Sequence, residues 1–252
     1  MGSFFEAFLV ALVGLSLGQL LDLGWGRFYT GEQIRGRLSR CSFCGAPSGI
    51  AALLPFVAPV IWDDGRCPNC AEPLTQRSIY LPAGSAVLFL ISYWAFDGDL
   101  GAALLGGFFA TLFFVLSLTD LETRLLPNRI VYSGIVLAIL FCWGWPDTSI
   151  PEVFLGGLVG VLIAGLLLLI SIPFGSGALG LGDVKMMVLM GFVLGFPAVV
   201  IGIVLGTLVA GVAAAFLLIS GRAGRKDYIP HGPFLALGAI VALFWGPSLW
   251  PY

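Results

Sequence analysis

Long apolar runs alternate with short polar segments along most of this chain. A helix of roughly 20 apolar residues is long enough to cross a bilayer, and the pattern therefore predicts an all-α polytopic membrane protein with about eight transmembrane helices. The shortest run would be only about 17 Å long as a helix, so it must be tilted, extended into the next turn or re-entrant. The runs lie at about 4–25, 80–96, 100–118, 130–145, 153–174, 184–194, 197–220 and 232–250.

One polar segment after the first run is much longer than the others. It holds six of the twelve basic residues and two pairs of cysteines. Its only apolar stretch, 50–62, is interrupted by Pro55 and Pro59 and is too short to span a bilayer. We therefore expect a first transmembrane helix at 1–26, a small separate insert at 27–78 and a seven-helix membrane domain at 79–252.

Composition supports the membrane assignment. Hydrophobic residues make up 59% of the 252 residues and charged residues only 10%, whereas about a quarter of the residues are charged in a typical soluble domain. The net charge is −2 and no basic face is present, so nucleic acid is not an expected partner. The expected partner is the lipid bilayer.

The basic residues predict an orientation. If the N-terminus lies outside and the runs cross in turn, all twelve Lys and Arg residues fall in segments on one side. Positive residues mark the cytoplasmic side. The insert at 27–78, Asp120 and Asp183 are therefore predicted to be cytoplasmic.

The paired cysteines form two Cys-x-x-Cys sequences separated by 22 residues. Four thiolates in this arrangement suit a tetrahedral structural Zn²⁺ ion, which would stabilise a small insert. A dithiol redox pair is the alternative, but two pairs with no thioredoxin-like unit argue against it. Cys142 lies alone in an apolar run and is expected to be a packing residue. The predicted zinc ligands are Cys41, Cys44, Cys67 and Cys70.

Two aspartates lie at the ends of apolar runs. A carboxylate at the edge of the hydrocarbon is costly unless it is paired, hydrated or functional. Asp120 can mark a helix end and pair with Arg124, or it can be functional, and spacing does not exclude Glu122 in its place. Asp183 follows a glycine-rich stretch that contains Gly180 and Gly182, and it can simply cap the next helix.

Together the two aspartates suggest a specific chemistry. Two carboxylates held close share a proton, so that one acts as a base and the other as an acid. Such a pair activates water against a peptide carbonyl without a covalent intermediate. The glycines of the loop permit the close approach of an extended peptide. The only histidine, His231, lies in a stretch expected to be a turn before the last helix.

The chain resembles the bacterial type IV prepilin peptidases, which are membrane aspartic proteases of the GxGD class. The resemblance covers most of the chain, including the two cysteine pairs. It implies cleavage of prepilins or pseudopilins after a glycine at the end of a basic leader, in the bacterial inner membrane. It also implies that Asp120 and Asp183 are catalytic, with Gly180, Gly182 and Lys185 in the substrate loop. The separated motifs are Asp120 with Leu126-Pro127-Asn128, Gly180-Leu181-Gly182-Asp183-Val184-Lys185, and Ile229-Pro230-His231-Gly232-Pro233-Phe234.

Many members of this family also methylate the new N-terminus with S-adenosylmethionine, an activity associated with their N-terminal part. This chain departs from the family pattern there. The family's Gly-Ser-Phe-Leu-Asn-like stretch reads Ser16-Leu17-Gly18-Gln19-Leu20, and its Tyr-Pro-x-Val-Glu-like run reads Tyr80-Leu81-Pro82-Ala83-Gly84.

The sequence leaves three alternative functions. A transporter or channel would hold its acids in mid-span, whereas these acids lie at helix ends. A scaffold with a decayed protease motif would not need the intact aspartate pair. An intramembrane protease of other helical substrates would share the chemistry and differ only in its substrate.

Overall fold

The computed structural model describes residues 2–30, 77–146, 148–171, 180–222 and 230–249. Within these residues the chain forms eight α-helices and one 3₁₀ turn, and no strand, so the all-α prediction is confirmed for this part of the chain. The 3₁₀ turn covers Cys142–Gly144. The helices are α1 (Gly2–Thr30), α2 (Arg77–Ala95), α3 (Leu100–Thr123), α4 (Asn128–Leu140), α5 (Ile150–Ser171), α6 (Leu181–Leu194), α7 (Ala198–Ile219) and α8 (Gly232–Leu249).

Four of these helices are long and apolar enough to cross a membrane. They are the Ser3–Asp22 part of α1 and the whole of α3, α5 and α7. The apolar parts of α2, α4 and α8 are shorter, and α6 has only 14 residues. The multi-pass prediction is thus confirmed for four helices, and the crossing of the membrane by the other four stays a prediction.

The chain divides into two compact units, Met1–Leu90 and Ile91–Tyr252, and the boundary falls inside α2. In the first unit α1 approaches α2 closely at Gly18, where an added Cβ would lie 2.6 Å from the Pro82 Cα and 2.9 Å from the Leu81 carbonyl oxygen. Position 26 lies inside α1 and position 78 lies at the start of α2, whereas residues 31–76 are outside the described residues, so the insert at 27–78 stays a prediction. Cys41, Cys44, Cys67 and Cys70 lie outside the described residues.

Helix α6 lies at the centre of the second unit, in contact with α4, α5, α7 and α8. Its Met186, Met187 and Met190 side chains are fully buried. Glycines allow the neighbouring helix α5 to approach α6, because a Cβ on Gly160 would lie 2.6 Å from the Met187 carbonyl oxygen. The shortest predicted run is therefore a core helix in contact with four other helices.

Helices α5 and α7 expose apolar side chains away from this core. An apolar outer face is what a helix in contact with lipid requires, because the bilayer offers no partner for polar groups. The exposed side chains include Leu158, Leu162, Leu166 and Leu169 on α5, and Val204, Leu208, Val212 and Phe216 on α7.

Cys142 lies in the 3₁₀ turn that follows α4. Its thiol is free and buried, so the prediction of a packing residue is confirmed. The apolar run predicted at 130–145 is thus a helix that ends at Leu140, followed by this turn.

Candidate active site

Asp120 lies in the last turn of α3 and is only 4% exposed. The helix ends directly after it, because Arg124 adopts a left-handed conformation (φ 56°) and its backbone N–H donates to the Asp120 carbonyl oxygen at 2.9 Å. Pro127 then precedes the first residue of α4. The Leu126-Pro127-Asn128 sequence therefore forms the corner between α3 and α4, next to the buried aspartate.

Asp183 lies in the first turn of α6 and is 5% exposed. Its Oδ2 atom accepts a hydrogen bond from the Gly180 backbone N–H at 3.3 Å. This contact satisfies a donor at the start of the helix, so the helix-capping interpretation of Asp183 is realised. The same contact fixes the side chain at the end of the glycine-rich stretch. Residues 172–179 of that stretch, including Gly175 and Gly177, lie outside the described residues.

The fold brings the two aspartates together from different helices. Asp183 acts electrostatically on Asp120, although 62 residues separate them in the sequence. The two surrounding segments also touch, because a Cβ on Gly182 would lie 3.2 Å from Leu126 Cδ1. The two carboxylates are therefore both buried and close enough to interact electrostatically, and their pairing as catalytic groups stays a prediction.

Glu122, the other acid considered at this helix end, is exposed to solvent. It lies two residues after Asp120, and the helical twist therefore turns it away from the side on which Asp120 is buried. Of these two acids, only Asp120 occupies the buried position beside Asp183.

A third segment reaches the aspartates from the start of α8. The Gly232 backbone N–H donates to Asp120 Oδ2 at 3.0 Å, and the neighbouring His231 acts electrostatically on Asp120. Burial lowers the pKa of the His231 imidazole below its ordinary value, and the Asp120 carboxylate opposes this effect. Helix α8 begins after the predicted turn, and the structure adds Gly232 and His231 to the surroundings of Asp120, which the sequence pattern alone does not predict. A lone histidine beside a glycine at a predicted helix start was the available indication.

Lys185 lies two residues after Asp183 on α6. Its Nζ atom donates to Asn128 Oδ1 at 2.8 Å and lies 5.8 Å from the centroid of the Tyr132 ring. The ammonium group is therefore held against the start of α4 by a hydrogen bond and a cation–π contact. Of the predicted loop residues, Gly180 and Gly182 flank the aspartate pair, whereas Lys185 joins two helices.

No group of three or more His, Cys, Asp or Glu residues within the described ranges is arranged to hold a metal ion. The two aspartates instead form a buried pair, each with one oxygen bound by a backbone N–H. Such a pair can hold one proton between two carboxylates, which is the requirement for simultaneous acid and base catalysis on an amide.

Comparisons with known proteins match nearly the whole chain. The model of the type IV leader peptidase family matches residues 107–219, which include both aspartates. The model of the bacterial peptidase A24 N-terminal domain matches residues 1–96. No solved structure matches the chain.

Three relatives are each named prepilin leader peptidase/N-methyltransferase. The chain is 25% identical to that of Bacillus subtilis (strain 168) over 247 residues, which cover 94% of each chain. It is 28% identical to that of Aeromonas hydrophila, over 84% of this chain and 72% of the relative. It is 25% identical to that of Pseudomonas putida, over 84% of this chain and 73% of the relative. Both family models and these relatives point to one conclusion: the chain belongs to the type IV leader peptidase family, as a multi-pass protein of the inner membrane.

Proposed function

We propose that the protein is an endopeptidase that removes the basic leader of prepilins or pseudopilins after a glycine, with Asp120 and Asp183 as the catalytic pair. The observation that carries the proposal is the burial of both carboxylates at the ends of two apolar helices, where Asp183 acts electrostatically on Asp120. A carboxylate in such a position is costly and is expected to be functional. The peptidase names of the relatives supply the class of substrate.

The proposed mechanism uses a shared proton. The ionised aspartate takes a proton from water as the water oxygen attacks the scissile carbonyl carbon, and the protonated aspartate donates its proton to the carbonyl oxygen. The tetrahedral intermediate then collapses, the C–N bond breaks, and the leaving amine takes a proton from the pair. Two neighbouring carboxylates favour this division of roles, because repulsion between their negative charges disfavours the state in which both are ionised.

The distribution of basic residues supports a proposed orientation in the membrane. We place the aspartates and the insert at 27–78 on the cytoplasmic side and the N-terminus outside, because all twelve basic residues then lie inside. A basic leader would remain at that surface, while the apolar helix of the substrate enters among the membrane helices. The bond to be cut must leave its helical conformation to reach the pair, and Gly180 and Gly182 offer little steric hindrance to an extended segment.

The test is cleavage of a purified prepilin by the purified protein in detergent, with mass spectrometry of the new N-terminus. Asp120→Asn and Asp183→Asn should each abolish cleavage and leave the melting temperature close to that of the wild type. Glu122→Gln is the matched control, because it neutralises an exposed acid two residues from Asp120, and it should cleave normally. Full activity of either aspartate variant would refute the catalytic pair.

We also propose that Cys41, Cys44, Cys67 and Cys70 hold a structural zinc ion. Two pairs of thiolates at this spacing match the donor set of a tetrahedral Zn²⁺ site. Elemental analysis of the reduced protein should find one zinc ion per chain, and Cys67→Ser should lose it, while Cys142→Ser should keep it. Metal-free protein with all thiols reduced would refute this site.

A second activity is proposed on the names of the relatives alone: methylation of the newly exposed amine by S-adenosylmethionine. The amine nitrogen would attack the methyl carbon, the bond from that carbon to sulfur would break, and the amine would lose a proton. Mass spectrometry of the cleavage product with added S-adenosylmethionine tests this directly. A product that gains no methyl group while cleavage is complete would limit the enzyme to proteolysis.

A further inference from the structure

The first turn of α8 has a single backbone donor directed at Asp120. The N–H groups of Phe234 and Leu235 both donate to the His231 carbonyl oxygen, at 3.1 Å and 3.2 Å. Pro233 has no N–H group. The acceptor of the Gly232 N–H lies outside this turn and is Asp120 Oδ2. This hydrogen bond matters because a buried N–H group without an acceptor lowers the free energy of unfolding.

Gly232 also leaves no room for a side chain at this point. An added Cβ would lie 2.6 Å from Asp120 Oδ2, 2.9 Å from its Cγ and 3.0 Å from its Cβ. Real Cβ atoms are essentially never found within 3.0 Å of another heavy atom. Because Gly232 and Asp120 are both buried, neither side chain nor backbone has solvent to move into.

We propose that Gly232 is a positioning residue for Asp120: its N–H binds one carboxylate oxygen, and its missing side chain lets the carboxylate stand against the start of α8. Asp183 has an equivalent arrangement, in which the Gly180 N–H binds Oδ2. Each aspartate is thus fixed by the N–H of a glycine at the beginning of a helix. This inference rests on the proposed function of the two aspartates and extends it to the segment at 230–234.

Peptide hydrolysis by the proposed mechanism depends on the position of the Asp120 carboxylate. A carboxylate that must take a proton from water has to be held within a few tenths of an ångström of its working position, and misplacement reduces the rate rather than the binding of substrate. Gly232→Ala keeps the backbone N–H, but its Cβ would push the carboxylate away from that donor. The variant should therefore lower kcat by about 10- to 100-fold, the loss expected when one hydrogen bond to a charged group is broken. KM should stay unchanged, because the start of α8 contacts Asp120 and is not proposed to contact the substrate.

The matched control is Gly211→Ala on α7. Gly211 is exposed and a Cβ there would meet nothing within 4 Å, so this variant should keep the kcat, KM and melting temperature of the wild type. A Gly232→Ala variant with the kcat of the wild type would overturn the inference. A rise in KM of about 10- to 100-fold with no change in kcat would also overturn the inference, because this result would indicate a role in substrate binding.

A melting-temperature cycle tests the contact independently of cleavage. Gly232→Ala should lower the melting temperature in the wild-type background and lower it less in an Asp120→Ala background, where Oδ2 and Cγ are gone. Equal losses in both backgrounds would overturn the inference. If the wild type cleaves no prepilin, the proposed function fails, and this cycle still decides whether Gly232 holds Asp120. If Asp120→Asn and Asp183→Asn are inactive but the cycle shows no coupling, the proposed function stands and the inference alone fails.

Discussion

Lys185 Nζ donates to Asn128 Oδ1 at 2.8 Å and thereby joins the N-terminal part of α6 to the first residue of α4. The two residues are 57 positions apart. The bond connects the helix that carries Asp183 to the corner that follows Asp120. A residue that the family resemblance assigns to the substrate loop therefore has a structural contact of its own.

This contact predicts that Lys185 acts through Asn128. Lys185→Met should lower kcat/KM by about 2- to 10-fold, a modest loss because the bond is exposed to solvent. Asn128→Ala should cause a similar loss, and the double variant should lose no more than either single variant. A double-mutant cycle on kcat/KM measures the coupling. Additive losses, with KM raised by Lys185→Met alone, would instead indicate direct contact with the substrate.

The packing of α5 on α6 predicts a stability effect at Gly191. An added Cβ there would run into the Gly156 carbonyl oxygen and would lie 2.8 Å from the Gly157 Cα. Gly191→Ala should lower the free energy of unfolding by about 1–3 kcal/mol, the usual cost of overpacking. Thermal unfolding in detergent measures it. Gly165→Ala is the control on α5, since its Cβ would meet nothing within 4 Å, and a loss of the same size there would contradict the packing explanation.

His231 predicts a pH dependence of stability. Burial lowers the pKa of its imidazole in the folded protein, so the unfolded chain binds a proton first as the pH falls. The contribution of His231 to stability is thus complete above about pH 6.5, the value of a free histidine, and is lost as the pH falls from there toward the lowered folded pKa.

The variant His231→Gln isolates this contribution because glutamine does not titrate. Wild type and variant should differ by a constant amount in melting temperature above about pH 6.5, and the wild type should lose stability relative to the variant below it. Parallel curves across the whole range would contradict a partly buried His231 whose pKa is lowered in the folded protein.

The hydrogen bond that caps the start of α3 predicts a variant that changes stability without changing catalysis. Asp99 Oδ1 accepts a hydrogen bond from the Ala102 N–H at 3.0 Å and caps the start of the helix. Asp99→Ala should cost about 1 kcal/mol of unfolding free energy. Asp120 lies near the opposite end, about 30 Å away at 1.5 Å per residue, so kcat should not change. A large fall in kcat at a temperature where the variant is folded would show that the helix transmits the loss.

The apolar runs alone predicted the helices, because a backbone in lipid must satisfy its own hydrogen bonds and therefore forms helices wherever the chain stays apolar. All eight predicted runs correspond to helices within the described residues, and the motif spacing placed Asp120 and Asp183 at helix ends. The lengths were less accurate. The run that begins at residue 130 ends as a helix at Leu140 because a 3₁₀ turn follows, which apolar composition does not reveal.

The sequence by itself determined the class of protein, the two carboxylates and the chemistry that a pair of them can perform. It did so because hydrophobicity and residue type are local properties. Only the tertiary structure decided that Asp120 is buried while Glu122 is exposed, that Lys185 bonds to Asn128, and that the Gly232 N–H binds Asp120. These relations depend on how helices far apart in the sequence pack and on which direction each side chain takes, and no local pattern encodes either of them.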